Sequence, residues 1–201
     1  MKVINLAHWI TLGSFIFWLI VYWQAGRKVI SDIQSTTQNK EMELEKTFMK
    51  LMAIFTLIIT GTAILIVLHQ DKKMMLGKSD VSLWLTVLGS ILTVVGVIGM
   101  FYTRNQLGKY WVAETALQQE QEVVDKDLYG IVRHPIYTFA ITAYLGFGLV
   151  FRTWWNMLLV GVIILFYILK AGFEEKVLAE SLIGYKEYQK RVRYRLLPWV
   201  W

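Results

Sequence analysis

The segment Tyr137–Leu169 decides the fold and reads YTFAITAYLGFGLVFRTWWNMLLVGVIILFYIL. It holds two apolar runs of about 15 residues each, Tyr137–Phe151 and Trp154–Leu169, with only Arg152 and Thr153 between them. This pattern predicts a tight helical hairpin in a membrane, with Arg152 extending its charged end to the interface. Because both runs are short for a membrane span, a single re-entrant pair is the alternative.

Polar residues flank this hairpin on both sides. The stretch 133–137, Arg-His-Pro-Ile-Tyr, precedes it, and Glu174 and Glu175 follow it. A hairpin returns to the side from which it started, so the two clusters should lie together, and ionisable groups gathered at a membrane boundary indicate a functional site. Pro135 favours a helix start whose amides suit an anionic group. Carboxylates that close a helix oppose its dipole and predict a compensating cation, either a side chain such as Lys170 or a bound ligand.

The composition extends the membrane prediction to the whole chain of 201 residues. It is 56% hydrophobic with a mean hydropathy of +0.45, and three further apolar runs cover Val3–Trp23, Leu51–Leu68 and Val81–Tyr102. We predict an all-α integral membrane protein with about five transmembrane helices in one domain, residues 1–201, and a helical C-terminal segment. No glycine motif stands between a strand and a helix, so no Rossmann fold is expected.

Charge placement predicts the orientation in the membrane. The net charge is +6, and sixteen of the 21 lysines and arginines fall in the connection 24–50, the connection 103–136 and the tail from residue 170. The positive-inside rule then places the N-terminus outside and the C-terminus in the cytoplasm. Anionic membrane lipids account for the basic excess, and no nucleic-acid partner is expected. The chain has no cysteine, and we predict no metal site.

A set of motifs in the C-terminal half resembles the isoprenylcysteine carboxyl methyltransferase family, whose relatives include phospholipid N-methyltransferases. The motifs are Val123-Val124 with Tyr129, Arg133-His134-Pro135-x-Tyr137, Glu174-Glu175-x-x-Leu178, Gly184, Tyr185-x-x-Tyr188, Arg191-Val192 and Leu197-Pro198. The match covers about the last eighty residues, whereas the first hundred match only in hydropathy. The resemblance therefore divides the chain into three N-terminal spans, 1–102, and a cofactor-binding catalytic region, 103–201, that includes spans four and five.

The resemblance implies an enzyme that binds S-adenosylmethionine in a cytoplasmic pocket and methylates the carboxylate of an S-prenylated cysteine or a similar lipophilic acid. Such an acceptor, with a prenylated protein C-terminus as one form, would enter from the bilayer. The implied cofactor contacts are Gln121, Glu122, Val123, Val124, Tyr129, His134, Pro135, Ile136, Tyr137, Glu174 and Glu175. The implied catalytic groups are Arg133, Lys170 and Glu174.

This chain departs from the family pattern at positions that affect the substrate more than the cofactor. Gln121 stands where the family usually has His, Lys170 stands where it has Arg, and two residues are missing between Gly184 and Tyr185. Lysine offers a point charge instead of the planar fork that arginine presents to a carboxylate. A carboxylate is ionised at pH 7 and needs no general base, whereas a lipid amine must lose a proton, for which His134 is the nearest histidine.

Three other functions remain open from the sequence. The first is methylation of a phospholipid amine, the second a membrane reductase that uses NADPH, and the third a membrane scaffold in which the motifs only maintain the fold. A reductase would need a cluster of residues that binds the cofactor phosphate. A scaffold would tolerate the loss of cofactor binding that substitution of Glu174 or Tyr137 should cause.

Overall fold

The computed structural model describes residues 2–30, 40–69, 79–111 and 121–200. This part of the chain is helical, with no strand and one isolated bridge between Val132 and Tyr194. The helices are α1 (Lys2–Ile30), α2 (Lys40–His69), α3 (Ser79–Leu107), α4 (Pro135–Val150), α5 (Trp154–Ser181) and α6 (Tyr185–Arg191), with short 3-10 turns at Gly108–Tyr110 and Asp127–Gly130. The predicted all-α fold without a Rossmann unit is confirmed.

Five of these helices carry the predicted apolar runs. Three segments are long and apolar enough to cross a membrane, Met49–Leu68, Leu83–Leu107 and Trp154–Ser181, and two shorter apolar segments are Asn5–Val21 and Pro135–Val150. Large apolar side chains, including Trp84 and Leu57, lie on the outside of the bundle. An apolar exterior of this kind indicates an integral membrane protein.

The fifth helix is longer than the sequence indicated. The apolar run ends at Leu169, but α5 continues for three more turns to Ser181, because the intervening residues are mostly good helix formers. With 28 residues it measures about 42 Å, well above the ~30 Å of a hydrocarbon core. Glu174 and Glu175 therefore lie inside the helix and do not end it. The expectation that they oppose its dipole was wrong.

Arg152 occupies the turn between α4 and α5, as predicted, but it does not extend to the surface. Its side chain is buried and donates to the carbonyls of Leu149 and Val150, at 3.0 and 3.4 Å, and to Thr86 Oγ1 at 3.2 Å. The last carbonyls of a helix have no partner within the helix, and the guanidinium supplies donors to them. Thr153 then caps α5 by accepting from the Asn156 amide at 3.2 Å.

Close packing of α3 against α4 sets the position of the hairpin. Gly89 and Gly96 of α3, seven residues apart, lie on the face that meets α4. A Cβ atom at Gly96 would stand 2.5 Å from the Ala143 amide nitrogen and 2.6 Å from the Phe139 carbonyl oxygen. One at Gly146 would stand 2.5 Å from the Gly89 carbonyl oxygen, so the two backbones touch and glycine is required on both sides.

The remaining helices join this pair so that five helix ends meet at one side of the bundle. Phe15 of α1 packs on Phe147 of α4 with ring centroids 4.3 Å apart, and Thr56 of α2 shares a 2.8 Å hydrogen bond with Tyr144 of α4. The chain direction then brings the ends of α1 and α3 and the starts of α2 and α4 to the same side as the C-terminal part of α5.

We expect Gly96→Ala to lower the free energy of unfolding by about 1–3 kcal/mol, because the added methyl group collides with the backbone of α4. Gly61→Ala is the matched control, since no atom lies within 4 Å of the Cβ position at Gly61. Thermal unfolding of both variants in detergent measures the difference. Equal midpoints for the two variants would contradict the proposed backbone contact.

Candidate functional site

A cavity lies at the side of the bundle where the five helix ends meet. Its volume is about 110 Å³. Its walls come from α1, α3, α4, α5, α6 and the segment before α4. The lining residues are Trp18, Met100, Leu107, Tyr110, Trp111, Gln121, Glu122, Val123, Val124, Tyr129, Arg133, His134, Ile136, Tyr137, Ala140, Tyr167, Glu174, Val177, Leu178, Leu182, Tyr185 and Tyr188.

The segment after α6 holds the start of α4 in place. The amides of Arg133 and His134 donate to the carbonyls of Tyr194 and Arg195, both at 2.9 Å. Thr138 Oγ1 donates to the Leu196 carbonyl at 2.6 Å. These bonds satisfy amides that precede a helix with proline at its first position. His134 is thereby fixed as the residue before α4, with its side chain on the cavity wall.

Glu175 is the centre of a buried ion cluster beside the cavity. Its Oε1 accepts from Arg133 Nε at 2.6 Å and its Oε2 accepts from Arg195 Nε at 2.8 Å. Arg133 Nη1 also donates to the carbonyls of Val192 and Arg193 at 2.6 and 2.8 Å. Both oxygens of Glu175 and two nitrogens of Arg133 are thus engaged in contacts that join α5, the start of α4 and the C-terminal segment.

The neighbouring carboxylate, Glu174, lines the cavity and is partly open to it. Its side chain is 27% exposed, and its Oε2 accepts from the Tyr137 hydroxyl at 2.6 Å. His134 Nδ1 lies 3.6 Å from the same oxygen, and the His134 and Tyr137 rings are stacked with centroids 5.4 Å apart. His134 Nε2 is 3.3 Å from Glu175 Oε1 but is not aligned for a hydrogen bond there or elsewhere in the described chain.

Three tyrosines, Tyr129, Tyr185 and Tyr188, also line the cavity. Burial, followed by the charge of Glu174, raises the pKa of Tyr129, and burial is also the main cause of the raised pKa values of Tyr185 and Tyr188. All three are therefore neutral at physiological pH. The Tyr188 hydroxyl donates to the Tyr129 carbonyl at 2.7 Å, whereas those of Tyr129 and Tyr185 have no hydrogen-bond partner in residues 121–200 or the other described segments. These two buried hydroxyls are available to a ligand.

The predicted helix in the tail is present as α6. Tyr185, Tyr188 and Val192 form one buried cluster, which packs on Val123 and Leu178. The helix therefore forms a wall of the cavity, with an apolar face buried in protein.

The structure brings most of the predicted site residues together around one cavity. Those that line it are Gln121, Glu122, Val123, Val124, Tyr129, Arg133, His134, Ile136, Tyr137 and Glu174. Three do not. Pro135 is buried as the first residue of α4, Glu175 faces the ion cluster, and Lys170 is buried with its Nζ 3.7 Å from Met49 Sδ. Their predicted roles stay predictions, but neither Lys170 nor Glu175 stands on the cavity wall.

Sequence reasoning missed the residues that distant helices contribute. Trp18 of α1, Met100 of α3, Trp111 after α3 and Tyr167 of α5 all line the cavity. Each lies in or beside an apolar run, where an aromatic residue or methionine fits a core position equally well. One signal was available in residues 107–111, Leu-Gly-Lys-Tyr-Trp, because two aromatic residues in a polar connection are typical of a segment that packs against the rest of the fold.

Comparison with known proteins gives one family for this region. Residues 84–183 match the phospholipid methyltransferase family. The matched segment contains α4 and nearly all of α3 and α5, together with the Arg133–Tyr137 and Glu174-Glu175 motifs. No curated protein matches the chain. The match indicates a membrane methyltransferase and agrees with the relatives named from the motifs, without distinguishing carboxylate from amine acceptors.

We expect Glu175→Gln to destabilise the protein by about 3–5 kcal/mol, because it leaves the buried Arg133 without its counter-charge. Asp125→Asn is the matched control. It removes the partner of Arg191, whose side chain is 64% exposed, and should cost at most about 1 kcal/mol. Thermal unfolding in detergent compares the two variants. A smaller loss for Glu175→Gln than for Asp125→Asn would show that the cluster does not hold the site together.

Proposed function

We propose that this protein is an S-adenosylmethionine-dependent methyltransferase that acts on an amine of a membrane lipid. The observation that carries the proposal is the charge of the cavity wall. Glu122 and Glu174 line it together with many aromatic rings, and Arg133 is the one lysine or arginine among the described lining residues. A cavity with carboxylates and aromatic faces suits cationic ligands.

The cofactor fits the region around Glu174. When bound, S-adenosylmethionine supplies a methyl group on a positively charged sulfur. Glu174 can accept hydrogen bonds from the cofactor's amino group, and its orientation is fixed by Tyr137 at 2.6 Å. The buried hydroxyls of Tyr129 and Tyr185 offer hydrogen bonds to the rest of the molecule. This arrangement needs no Rossmann fold.

We favour an amine as the acceptor because the cavity wall has few cationic groups that could bind an anion. A carboxylate acceptor would call for an arginine or lysine directed at it. Arg133 Nε and Nη1 are engaged by Glu175 and by two backbone carbonyls, and Lys170 lies off the cavity wall. An ammonium group, in contrast, would find Glu122 and Glu174.

The reaction requires positioning and the removal of one proton. The acceptor nitrogen forms a bond to the methyl carbon while the bond from that carbon to sulfur breaks and its electron pair stays on sulfur. The nitrogen must first give a proton away, and the pair formed by His134 and Glu174 is the polar group on the wall that can accept it. The cavity walls would hold the two reactants in line.

The carboxylate of an S-prenylated cysteine is the second candidate acceptor. The motifs from Val123 to Pro198 favour it, and it would need no proton acceptor. In either case the acceptor is lipophilic and reaches the cavity from the bilayer. We also propose, from the distribution of lysine and arginine, that the cavity faces the cytoplasm and that the N-terminus lies outside.

We expect Glu174→Gln to weaken S-adenosylmethionine binding by about 10- to 100-fold, because a charge-assisted hydrogen bond to the ligand is lost. Tyr137→Phe should have a smaller effect in the same direction, since it removes the group that orients Glu174. Isothermal titration of the detergent-solubilised protein measures both. Glu180→Gln, an exposed carboxylate on the same helix, is the control. Unchanged binding in Glu174→Gln would contradict the cofactor assignment.

The acceptor class should appear in the pH dependence of methyl transfer. A lipid amine has a pKa near ~10, like lysine, so its methylation should accelerate as the pH rises from 6 to 9. A carboxylate is fully ionised over that range and its methylation should show no such rise. We would measure label transfer from methyl-labelled S-adenosylmethionine to phosphatidylethanolamine vesicles and to an S-farnesylcysteine analogue. Transfer to the farnesyl compound alone would replace the amine with the carboxylate.

A further inference from the structure

The cavity is smaller than the ligand of the proposed function requires. Its volume is about 110 Å³, whereas pockets that hold a drug-sized molecule enclose roughly 300–1,000 Å³. S-adenosylmethionine is a molecule of that size, with an adenosyl group, a sulfonium and an amino-acid end. At least one wall must therefore move outward before the cofactor can enter, and the contacts of each wall indicate which one can do so.

The walls contributed by α4 and α5 are held firmly. The amides of Arg133 and His134 bind the segment after α6, and α4 itself touches the backbone of α3. On α5, both carboxylate oxygens of Glu175 accept from arginines of two other segments. Movement of either wall would break buried charge-assisted hydrogen bonds or separate closely packed helices, and both are costly.

The wall formed by residues 122–125 is held much more weakly. Glu122, Val123 and Val124 line the cavity and belong to no helix or strand. The backbone groups of residues 122–125 make no hydrogen bond to another backbone group in the described part of the chain. Segments with few backbone hydrogen bonds open locally at a low cost in free energy. This wall is therefore the one that can move.

Two contacts join this segment to α6. Val123 packs on the buried cluster of α6, and Asp125 Oδ2 accepts from Arg191 Nη2 at 2.6 Å. The two side chains of the ion pair are 33% and 64% exposed, respectively. Arg191 is on the fixed side of this contact, because the buried Tyr188 hydroxyl of α6 donates to the Tyr129 carbonyl at 2.7 Å. An exposed ion pair is weak enough to break and reform during ligand exchange.

We propose that residues 122–125 form a gate of the cavity and that the ion pair between Asp125 and Arg191 is its latch. The proposal rests on the proposed function and deepens it, because it assigns the route by which S-adenosylmethionine enters and its demethylated product leaves. With the latch formed, the gate completes the cavity wall. When the latch breaks, the gate turns outward before Lys126, whose carbonyl is fixed by the Tyr129 amide at 3.0 Å.

Loss of the latch should change the rates of cofactor exchange and leave the affinity almost unchanged. We expect Asp125→Asn to raise the association and dissociation rates of S-adenosylmethionine together, each by about two- to fivefold, because an exposed ion pair has about that effect on an equilibrium. The dissociation constant should stay within about twofold, since the empty and the loaded protein lose the same contact and Asp125 does not line the cavity.

The measurement uses rapid mixing and a chase of labelled S-adenosylmethionine in the full-length protein in detergent. Arg191→Gln should reproduce the effect of Asp125→Asn, and the double variant should show no further increase, because either substitution already removes the ion pair. Glu187→Gln, which removes an exposed carboxylate of α6, is the control.

A reversible crosslink tests the gate directly. The chain contains no cysteine, so the double variant Asp125→Cys, Arg191→Cys places two thiols at the latch and none elsewhere. Bridging them with a bis-methanethiosulfonate reagent should slow S-adenosylmethionine association about tenfold or more and retain cofactor bound beforehand. Reduction of the bridge should restore both rates. The double variant Lys186→Cys, Lys190→Cys is the control, because its thiols lie one turn apart on α6 and leave the gate untouched.

Equilibrium titration of the same samples separates the outcomes. An unchanged association rate in the crosslinked latch variant, with normal affinity, would overturn the gate and leave the cofactor assignment intact. Unchanged rates in Asp125→Asn, or a lower affinity without faster association, would overturn the role of Asp125 as the latch. A wild-type protein that does not bind S-adenosylmethionine would refute the proposed function and the gate with it.

Discussion

The buried carboxylate of Glu175 is the interaction on which the site depends. Taking a carboxylate out of water is costly, and the structure offsets this cost with two arginine partners that reach it from different segments, Arg133 before α4 and Arg195 after α6. The contacts tie three parts of the chain at one point. Adjacent residues on a helix point about 100° apart, so the commitment of Glu175 to this cluster directs Glu174 to the cavity. Glu175 therefore stabilises the fold, whereas Glu174 faces the cavity.

The backbone contact between α3 and α4 also fixes the position of the site. Glycines at 89, 96 and 146 let the helices approach until main-chain atoms touch, and such contact leaves little freedom to slide or rotate. The start of α4, with His134 on the wall, is therefore held at a set height relative to the end of α3, where Arg104 and Trp111 lie. The apolar bundle acts as a rigid platform, and the polar site is built on the helix ends at one side of it.

Much of this architecture follows from the sequence, because hydropathy and glycine spacing are local signals. The hairpin 137–169, the all-α fold and the helical C-terminal segment could all be predicted. The extension of α5 could not be predicted, because hydropathy shows where the apolar part of a helix stops and does not show where the helix itself ends. Nor could the inward turn of Arg152 or the separate tasks of Glu174 and Glu175, because both depend on partners far away in the chain.

The exterior of the protein is mainly basic, whereas the described cavity wall carries carboxylates. The segments at the site end of the bundle carry sixteen of the 21 lysines and arginines, yet Glu122 and Glu174 face the cavity. A basic exterior attracts anionic lipid headgroups over a distance of about one Debye length, ~8 Å at physiological salt. The Glu174 side chain is only 27% exposed, so its charge is screened less than the charges of the exterior.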